Sequence, residues 1–128
     1  MTAETASEWV RKAEGDYETA RLLARQRKKL LPDNLCWSCQ QCAEKYLKAF
    51  LVRHRLGFER RHDLITLSEL CSRVDLDFRL LVDALEDLEP CSPAIRYPGT
   101  SVTETEARSA FEAMKLVRKF VRAKLGLR

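Results

Sequence analysis

The sequence predicts an all-α protein, an up-and-down bundle of about five helices of which three are long and two are short. Apolar residues recur at steps of three and four along most of the chain, and no segment alternates apolar and polar residues as a half-buried strand does. Only 4 glycines and 4 prolines interrupt the 128 residues, of which 45% are hydrophobic and 33% charged. This length fits one domain with its own core, so we expect a single helical domain over residues 1–128.

The first two predicted helices are long and amphipathic. Helix one covers about residues 5–27, with an apolar stripe that comprises Trp9, Val10, Ala13, Tyr17, Ala20, Leu23 and Ala24. Pro32 interrupts this pattern, and we expect Asp33 or Asn34 to cap helix two, which continues to about His54. The expected inner face of helix two comprises Cys39, Ala43, Tyr46, Leu47, Phe50 and Leu51.

Two short helices and a loop are expected next. Gly57 marks a break, after which Asp63 can cap a helix whose inner positions are Leu64, Leu67, Leu70, Cys71 and Val74. Asp77 is expected to open the following helix, whose inner positions are Phe78, Leu81, Val82, Leu85 and Leu88. Residues 89–102 contain three prolines and Gly99, which exclude a continuous helix and predict the one long loop.

The last predicted helix begins at a capping box formed by Thr103 and Glu106. Its apolar stripe comprises Ala107, Ala110, Phe111, Met114, Val117 and Val121, and it continues to about Leu125, where Gly126 suits the end. We expect the helices to share one core that buries Trp9, Ala43, Leu47, Phe50, Leu67, Phe111 and Met114.

Charge and hydropathy indicate a cytoplasmic protein with two basic clusters. The N-terminus has no basic stretch followed by an apolar run, and no stretch of about 18 apolar residues occurs. The formal net charge is +4, and the basic clusters are Arg25, Arg27, Lys28 and Lys29, and then Arg53, His54, Arg55, Arg60, Arg61 and His62. Such clusters either steer phosphate or an acidic partner, or form a solvated surface with no ligand.

The five cysteines are expected to be small buried thiols. An odd number cannot pair completely within one chain, and a reducing cytosol keeps thiols free, so a disulfide framework is not expected. Cys36, Cys39 and Cys42 have a spacing that binds metal in loops. On a helix, however, their sulfurs would spread over about 120° and some 9 Å of rise, too far for one ion. We therefore expect no metal or cofactor.

Self-contained nucleophilic catalysis has little support in the sequence. Its only histidines are His54 and His62, and it has no Gly-x-Ser-x-Gly turn and no Gly-rich phosphate loop. His62 precedes Asp63 at a predicted helix start, where an imidazole can bond backbone groups as part of the cap.

Three motifs in order resemble those of the HEPN domain family. They are Gln-Gln-x-x-Glu-Lys-x-x-Lys-Ala over residues 40–49, His-Asp-Leu over residues 62–64 and Arg-Tyr-Pro over residues 96–98. The resemblance spans nearly the whole chain and includes Trp9 and Asp16. It implies a bundle of about five helices that often forms a homodimer. Many small prokaryotic members are encoded beside a minimal nucleotidyltransferase as toxin–antitoxin pairs.

Other members of that family are metal-independent ribonucleases, and the resemblance to them is incomplete. Those enzymes carry Arg-x4–6-His at the start of a late helix, and two copies of the motif meet in a dimer cleft. Arg96 matches the arginine, but no histidine follows it within residues 97–102. Arg55 and His62 have the right spacing, yet they lie between helices two and three, where the family does not place this motif.

The resemblance therefore favours a binding role over catalysis. The residues suited to hold phosphate and a base are Arg96, Tyr97, Lys45, Lys48 and Glu44. In the alternative interpretation, Glu44 and Lys48 pair with each other on one helix face, and Arg96 and Tyr97 order the loop. We expect a non-catalytic module that partners a nucleotidyltransferase and contacts nucleotide or RNA. The alternatives are a ribonuclease that uses Arg96, or Arg55 and His62, and a purely structural dimer.

Overall fold

The computed structural model describes residues 5–58 and 63–128, and these residues form the expected helical bundle with no β-strand among them. Three long helices and two short ones are present, as predicted. They are α1 (Ala6–Ala24), α2 (Pro32–Arg53), α3 (Leu64–Ser72), α4 (Val82–Asp87) and α5 (Glu104–Lys124). A 3-10 turn (Leu76–Leu81) leads into α4, and two more (Glu89–Cys91 and Pro93–Arg96) follow it.

The helix starts follow local capping chemistry. Thr5 and Glu8 form a capping box at α1, and Thr103 and Glu106 form the predicted one at α5. Asp63 caps α3 as predicted, because its carboxylate accepts a hydrogen bond from the backbone N–H of Ile65.

Two predicted helix starts are wrong. Neither Asp33 nor Asn34 caps α2, because the helix begins earlier, at Pro32, with Leu31 in the cap position. Proline fits there since its missing N–H would have no partner in the first turn. Asp75, rather than Asp77, caps the 3-10 turn before α4, and it accepts a hydrogen bond from the N–H of Asp77 at 2.9 Å.

Helix α2 lies at the centre of the bundle, against α1, α3 and α5. The core includes five of the seven residues expected there, which are Ala43, Leu47, Phe50, Leu67 and Met114. Trp9 and Phe111 are only partly buried; Phe111 packs against the core, and Trp9 packs against the ring of Phe58. Among the described residues, no helix combines the length and hydropathy that a membrane span requires.

Val74 and Val82 were expected to face inward, but they are 44% and 40% exposed. Val74 lies beyond the end of α3, and Val82 follows a 3-10 turn. A 3-10 turn has three residues per turn, so a pattern that assumes 3.6 residues per turn points the wrong positions inward.

A polar network connects the three long helices. The guanidinium of Arg118 in α5 donates two hydrogen bonds of 2.7 Å to the carboxylate of Glu14 in α1. The hydroxyl of Tyr46 in α2 donates to Glu14 at 2.6 Å and accepts from Arg122 at 3.0 Å. The hydrogen bonds from Arg118, more than any other contact, lower the pKa of Glu14. This network keeps α1, α2 and α5 in register with one another.

The aromatic core gives a direct stability test. Phe78 is fully buried, with its ring centroid 4.4 Å from that of Phe50 and 5.1 Å from that of Phe120. We expect Phe78→Ala to lower the free energy of unfolding by about 3–5 kcal/mol, since it leaves a cavity in a packed site. Leu116 on α5 is the control, because it is 52% exposed and lies outside the core. Leu116→Ala is expected to change stability by no more than about 0.5 kcal/mol. Urea unfolding of both variants measures this, and equal losses would contradict the placement of the core.

Candidate functional site

Arg96 lies at the end of the Pro93–Arg96 turn, in the segment predicted as one long loop. Its guanidinium carbon is 4.4 Å from the ring centroid of Trp37 in α2 and 5.5 Å from that of Tyr97. Its Nε donates to the carbonyl of Pro93 at 3.4 Å. Arg96 is exposed, and within residues 5–58 and 63–128 no carboxylate forms an ion pair with it. The site therefore presents an arginine held by an aromatic ring, with donors directed to solvent.

Trp37 was absent from the predicted site residues. It is adjacent to Cys36, whose spacing with Cys39 and Cys42 drew attention to the sulfurs instead. Its partner Arg96 is far away in the sequence, and no local pattern connects the two. Only the folded chain brings this ring under the guanidinium.

The segment that carries Arg96 is attached to the first turns of α2 at two points. Cys36 and Cys91 form a disulfide with their Cα atoms 5.0 Å apart, a normal separation for such a bond. Farther along, the backbone N–H of Val102 donates to the carboxylate of Asp33 at 2.9 Å. Arg96 lies between these two attachments, so its position relative to Trp37 is constrained from both sides.

The disulfide corrects the expectation that all five cysteines are thiols. Sequence spacing could not show that residue 91 folds back onto the start of α2, next to residue 36. The three remaining cysteines, Cys39, Cys42 and Cys71, are buried thiols. Burial raises the pKa of Cys39 and of Cys71 to about 12, and raises that of Cys42 as well. Among the described residues, no group of three or more His, Cys, Asp or Glu side chains could hold a metal ion.

Glu44 and Lys48 lie inside the bundle. Their side chains are each 4% exposed, and the ammonium of Lys48 is 2.9 Å from the carboxylate of Glu44. Gln40 donates a further hydrogen bond to Glu44 at 3.1 Å, and Lys48 lies 5.3 Å from the ring centroids of Trp9 and Phe58. The pairing that the sequence offered as the alternative to phosphate binding is confirmed. A phosphate could reach Lys48 only by displacing this buried pair.

Lys45 is also engaged within the chain. Its ammonium is 2.6 Å from the carboxylate of Asp16 in α1, with both side chains about one-quarter exposed. Lys45 and Trp37 are eight residues apart on α2, which corresponds to about 12 Å along the helix axis. That Lys45, Lys48 and Glu44 contact a ligand at the Arg96 site stays a prediction. In the structure, each of them pairs with another residue of the chain and so contributes to the fold.

Arg55 lies at the opposite end of α2 from Arg96. It is exposed and adopts a left-handed backbone conformation with φ of 57° just after the helix. The sixteen residues from Trp37 to Arg53 correspond to about 24 Å of helix rise. One protomer therefore cannot bring Arg55 and Arg96 into the same site. His62 lies outside the described residues.

The buried pair gives a second stability test. We expect Lys48→Met to lower the free energy of unfolding by about 3–5 kcal/mol, because it removes a charge partner of the buried carboxylate of Glu44. Lys119→Met is the control, since Lys119 is an exposed lysine on α5. A double variant with Glu44→Leu is expected to recover part of the loss. Denaturant unfolding of the three variants tests this, and a loss below about 1 kcal/mol for Lys48→Met would contradict it.

Counting reactive thiols tests the cysteine assignment. The native protein, purified without reductant, is expected to show no rapidly reacting thiol at pH 8, because Cys39, Cys42 and Cys71 are buried and protonated. Three thiols should react after unfolding in denaturant, and all five after unfolding with reductant. Titration with a chromogenic disulfide reagent gives these counts. Five thiols in the denatured, unreduced protein would show that Cys36 and Cys91 are not bonded.

Comparisons with known proteins agree on the fold. The family model described as HEPN domain matches residues 6–124. The crystal structure of an archaeal HEPN homologue superposes with a TM-score of 0.71. The superposition covers 95% of this chain and 98% of the archaeal one, at 22% sequence identity, which supports a likeness of fold alone. No curated protein matches the chain.

Proposed function

This chain belongs to the HEPN domain family, and we propose that it is a non-catalytic member that binds nucleotide or RNA through Arg96 and Tyr97 and assembles with a minimal nucleotidyltransferase. The observation that carries the proposal is the exposed guanidinium of Arg96 held against Trp37, with the exposed ring of Tyr97 beside it. Arg96 is suited to contact a phosphate, and Tyr97 is suited to stack with a base.

Phosphate binding follows from the geometry of Arg96. A guanidinium is planar and can donate two parallel hydrogen bonds to a phosphate. Contact with Trp37 restricts the side chain before any ligand arrives, so less conformational freedom is lost on binding. Tyr97 is 61% exposed, and an exposed aromatic ring can stack with a nucleobase.

The proposal of a non-catalytic role rests on the groups that accompany Arg96. In metal-independent RNA cleavage the ribose 2′-hydroxyl attacks the adjacent phosphate. A general base takes the hydroxyl proton, and a general acid protonates the leaving 5′-oxygen. The six residues after Arg96 are Tyr-Pro-Gly-Thr-Ser-Val, and they include no histidine. The rival candidate is a metal-independent ribonuclease in which Arg96, or Arg55 with His62, acts in a dimer cleft. RNA cleavage that resists EDTA and disappears in His62→Ala would support that rival.

Assembly with other chains is the second half of the proposal. The exposed apolar side chains of Val74, Leu76 and Leu80 lie close together in sequence beside α4, and they are 44%, 64% and 75% exposed. Exposed apolar residues in a group are typical of protein–protein contact surfaces. We expect a homodimer, and a complex with a minimal nucleotidyltransferase. Light scattering after size exclusion distinguishes these states from a monomer, and a homodimer that binds neither nucleotide nor partner would favour the purely structural role.

Substitution of Arg96 tests the binding site. We expect Arg96→Ala to weaken binding of nucleotide, RNA or partner at least tenfold, because one charge-assisted bidentate contact contributes about 1.5–3 kcal/mol. The melting temperature should stay within a few degrees, since the exposed side chain adds only about 1 kcal/mol or less to stability. Arg96→Lys should restore little, because an ammonium lacks the planar fork. Isothermal titration and thermal melting measure the two effects.

The matched control for that test is Arg79→Ala, which removes an exposed arginine from the turn before α4. It should leave binding within twofold of the parent. Unfolding of Arg96→Ala, or unchanged binding of every ligand tested, would mean that Arg-Tyr-Pro only orders the loop.

A further inference from the structure

A second cationic surface lies in the groove between α1 and α5, at the end of the bundle where α1 ends and α5 begins. The groove is open, with a volume of about 460 Å³. The residues that give it its character are Tyr17, Arg21, Arg25, Arg108, Phe111 and Lys115. None of them belongs to the Arg96 site.

Four cations line this groove, which are Arg21, Arg25, Arg108 and Lys115. Three more, Arg27, Lys28 and Lys29, follow Gln26 in the sequence just after Arg25. The carboxylates that pair with the wall cations are Glu18, Glu104 and Glu112. Among the residues that line the groove itself, four cations face one carboxylate, that of Glu112.

The ion pairs at the groove do not block an anionic ligand. The distance from Arg21 to Glu18 is 3.4 Å and that from Lys115 to Glu112 is 2.7 Å, and the side chains in both pairs are at least 41% exposed. Exposed pairs of this kind contribute little to stability, so a phosphate can compete for the cations. Arg25 forms no ion pair within the part of the chain that the structure describes.

Arg108 offsets the partial negative charge at the C-terminal end of α1. The C-terminal end of a helix carries partial negative charge on its last carbonyls, which would repel a phosphate. The guanidinium of Arg108 donates hydrogen bonds to the carbonyl oxygens of Ala24 and Gln26, at the end of α1. Arg108 therefore satisfies these carbonyls and offsets their partial negative charge.

Aromatic rings line the same groove. Tyr17 and Phe111 are both partly buried in its walls. Arg118 lies 4.0 Å from the ring centroid of Tyr17, and Lys115 lies 4.8 Å from that of Phe111. Cations interleaved with aromatic rings are typical of grooves that follow a single-stranded nucleic acid. The same groove on a second copy of this chain would carry the same positive charge and be repelled, so the expected homodimer would form through another face.

We propose that the groove between α1 and α5 binds the sugar–phosphate backbone of single-stranded nucleic acid, through Arg21, Arg25 and Lys115. The groove and the Arg96 site share no residue, so this site stands or fails independently of the function proposed for Arg96. Binding is expected to depend strongly on salt, since each phosphate contact releases counterions.

The test uses a fluorescein-labelled single-stranded RNA of about 16 nucleotides, the upper range for one small binding module. Fluorescence anisotropy of the full chain is measured in EDTA over a series of salt concentrations. The groove variant is Arg21→Gln with Arg25→Gln. The control is Arg73→Gln with Arg79→Gln, which removes the same charge from exposed positions near α3 and α4. Thermal melting checks that both variants fold, and the single Lys115→Gln variant is an independent probe of the groove.

We expect the groove variant to bind at least tenfold more weakly than the parent, and the control to stay within twofold. The slope of log K against log salt should become shallower by about 1.4 for the two lost contacts. Lys115→Gln should weaken binding at least threefold, and the groove variant should weaken further the RNA binding that remains in Arg96→Ala. Equal losses in the groove variant and the control would overturn the proposal, since only net charge would matter. So would unchanged binding by the groove variant, or no saturable binding by the parent. Loss in Arg96→Ala alone would overturn the groove and leave the Arg96 site standing.

Discussion

The burial of α2 is the constraint on which the rest of this structure depends. Helices α1, α3 and α5 lie against it, and most of its residues from Leu35 to Leu51 are buried. A helix enclosed on several sides cannot leave polar side chains unpaired, because transferring an unpaired charge out of water is costly. Its polar residues therefore bond inside the bundle, as Gln40, Glu44 and Lys48 do along one face at intervals of four residues.

Because α2 is buried, its polar residues bond within the bundle, and they lie apart from the candidate site at its first turns. In the middle of the helix, Glu44 and Lys48 are enclosed, while Lys45 reaches α1 and bonds Asp16. Only near the start does α2 present an aromatic ring, that of Trp37, to a segment with exposed residues. The Glu44 and Lys48 side chains of the family motif are thus buried and paired here, whereas Arg96 and Tyr97 are exposed.

The fold could be predicted closely because it follows from local patterns. Helical periodicity, the capping boxes and the prolines identified the five helices, and the predicted ends of α1 and α5 differ from the observed ones by a few residues. The errors came from 3-10 geometry around residues 74–82 and from Pro32 as the first residue of α2. The candidate site was less predictable, because its contacts join distant residues. Arg96 and Tyr97 could be identified from their motif, whereas the ring of Trp37 and the bond from Cys36 to Cys91 could not.

The double attachment of the Arg96 segment allows the candidate site to change in evolution separately from the bundle. Residues 92–101 are bounded on one side by Cys91 and on the other by Val102, and both attachments lead to the first turns of α2. The entropic cost of closing a loop rises slowly, by about 0.6 kcal/mol for each doubling of its length. Insertions or replacements between the two attachments therefore need not disturb helix packing. Related chains could acquire new ligand preferences by exchanging this short insert on an unchanged scaffold.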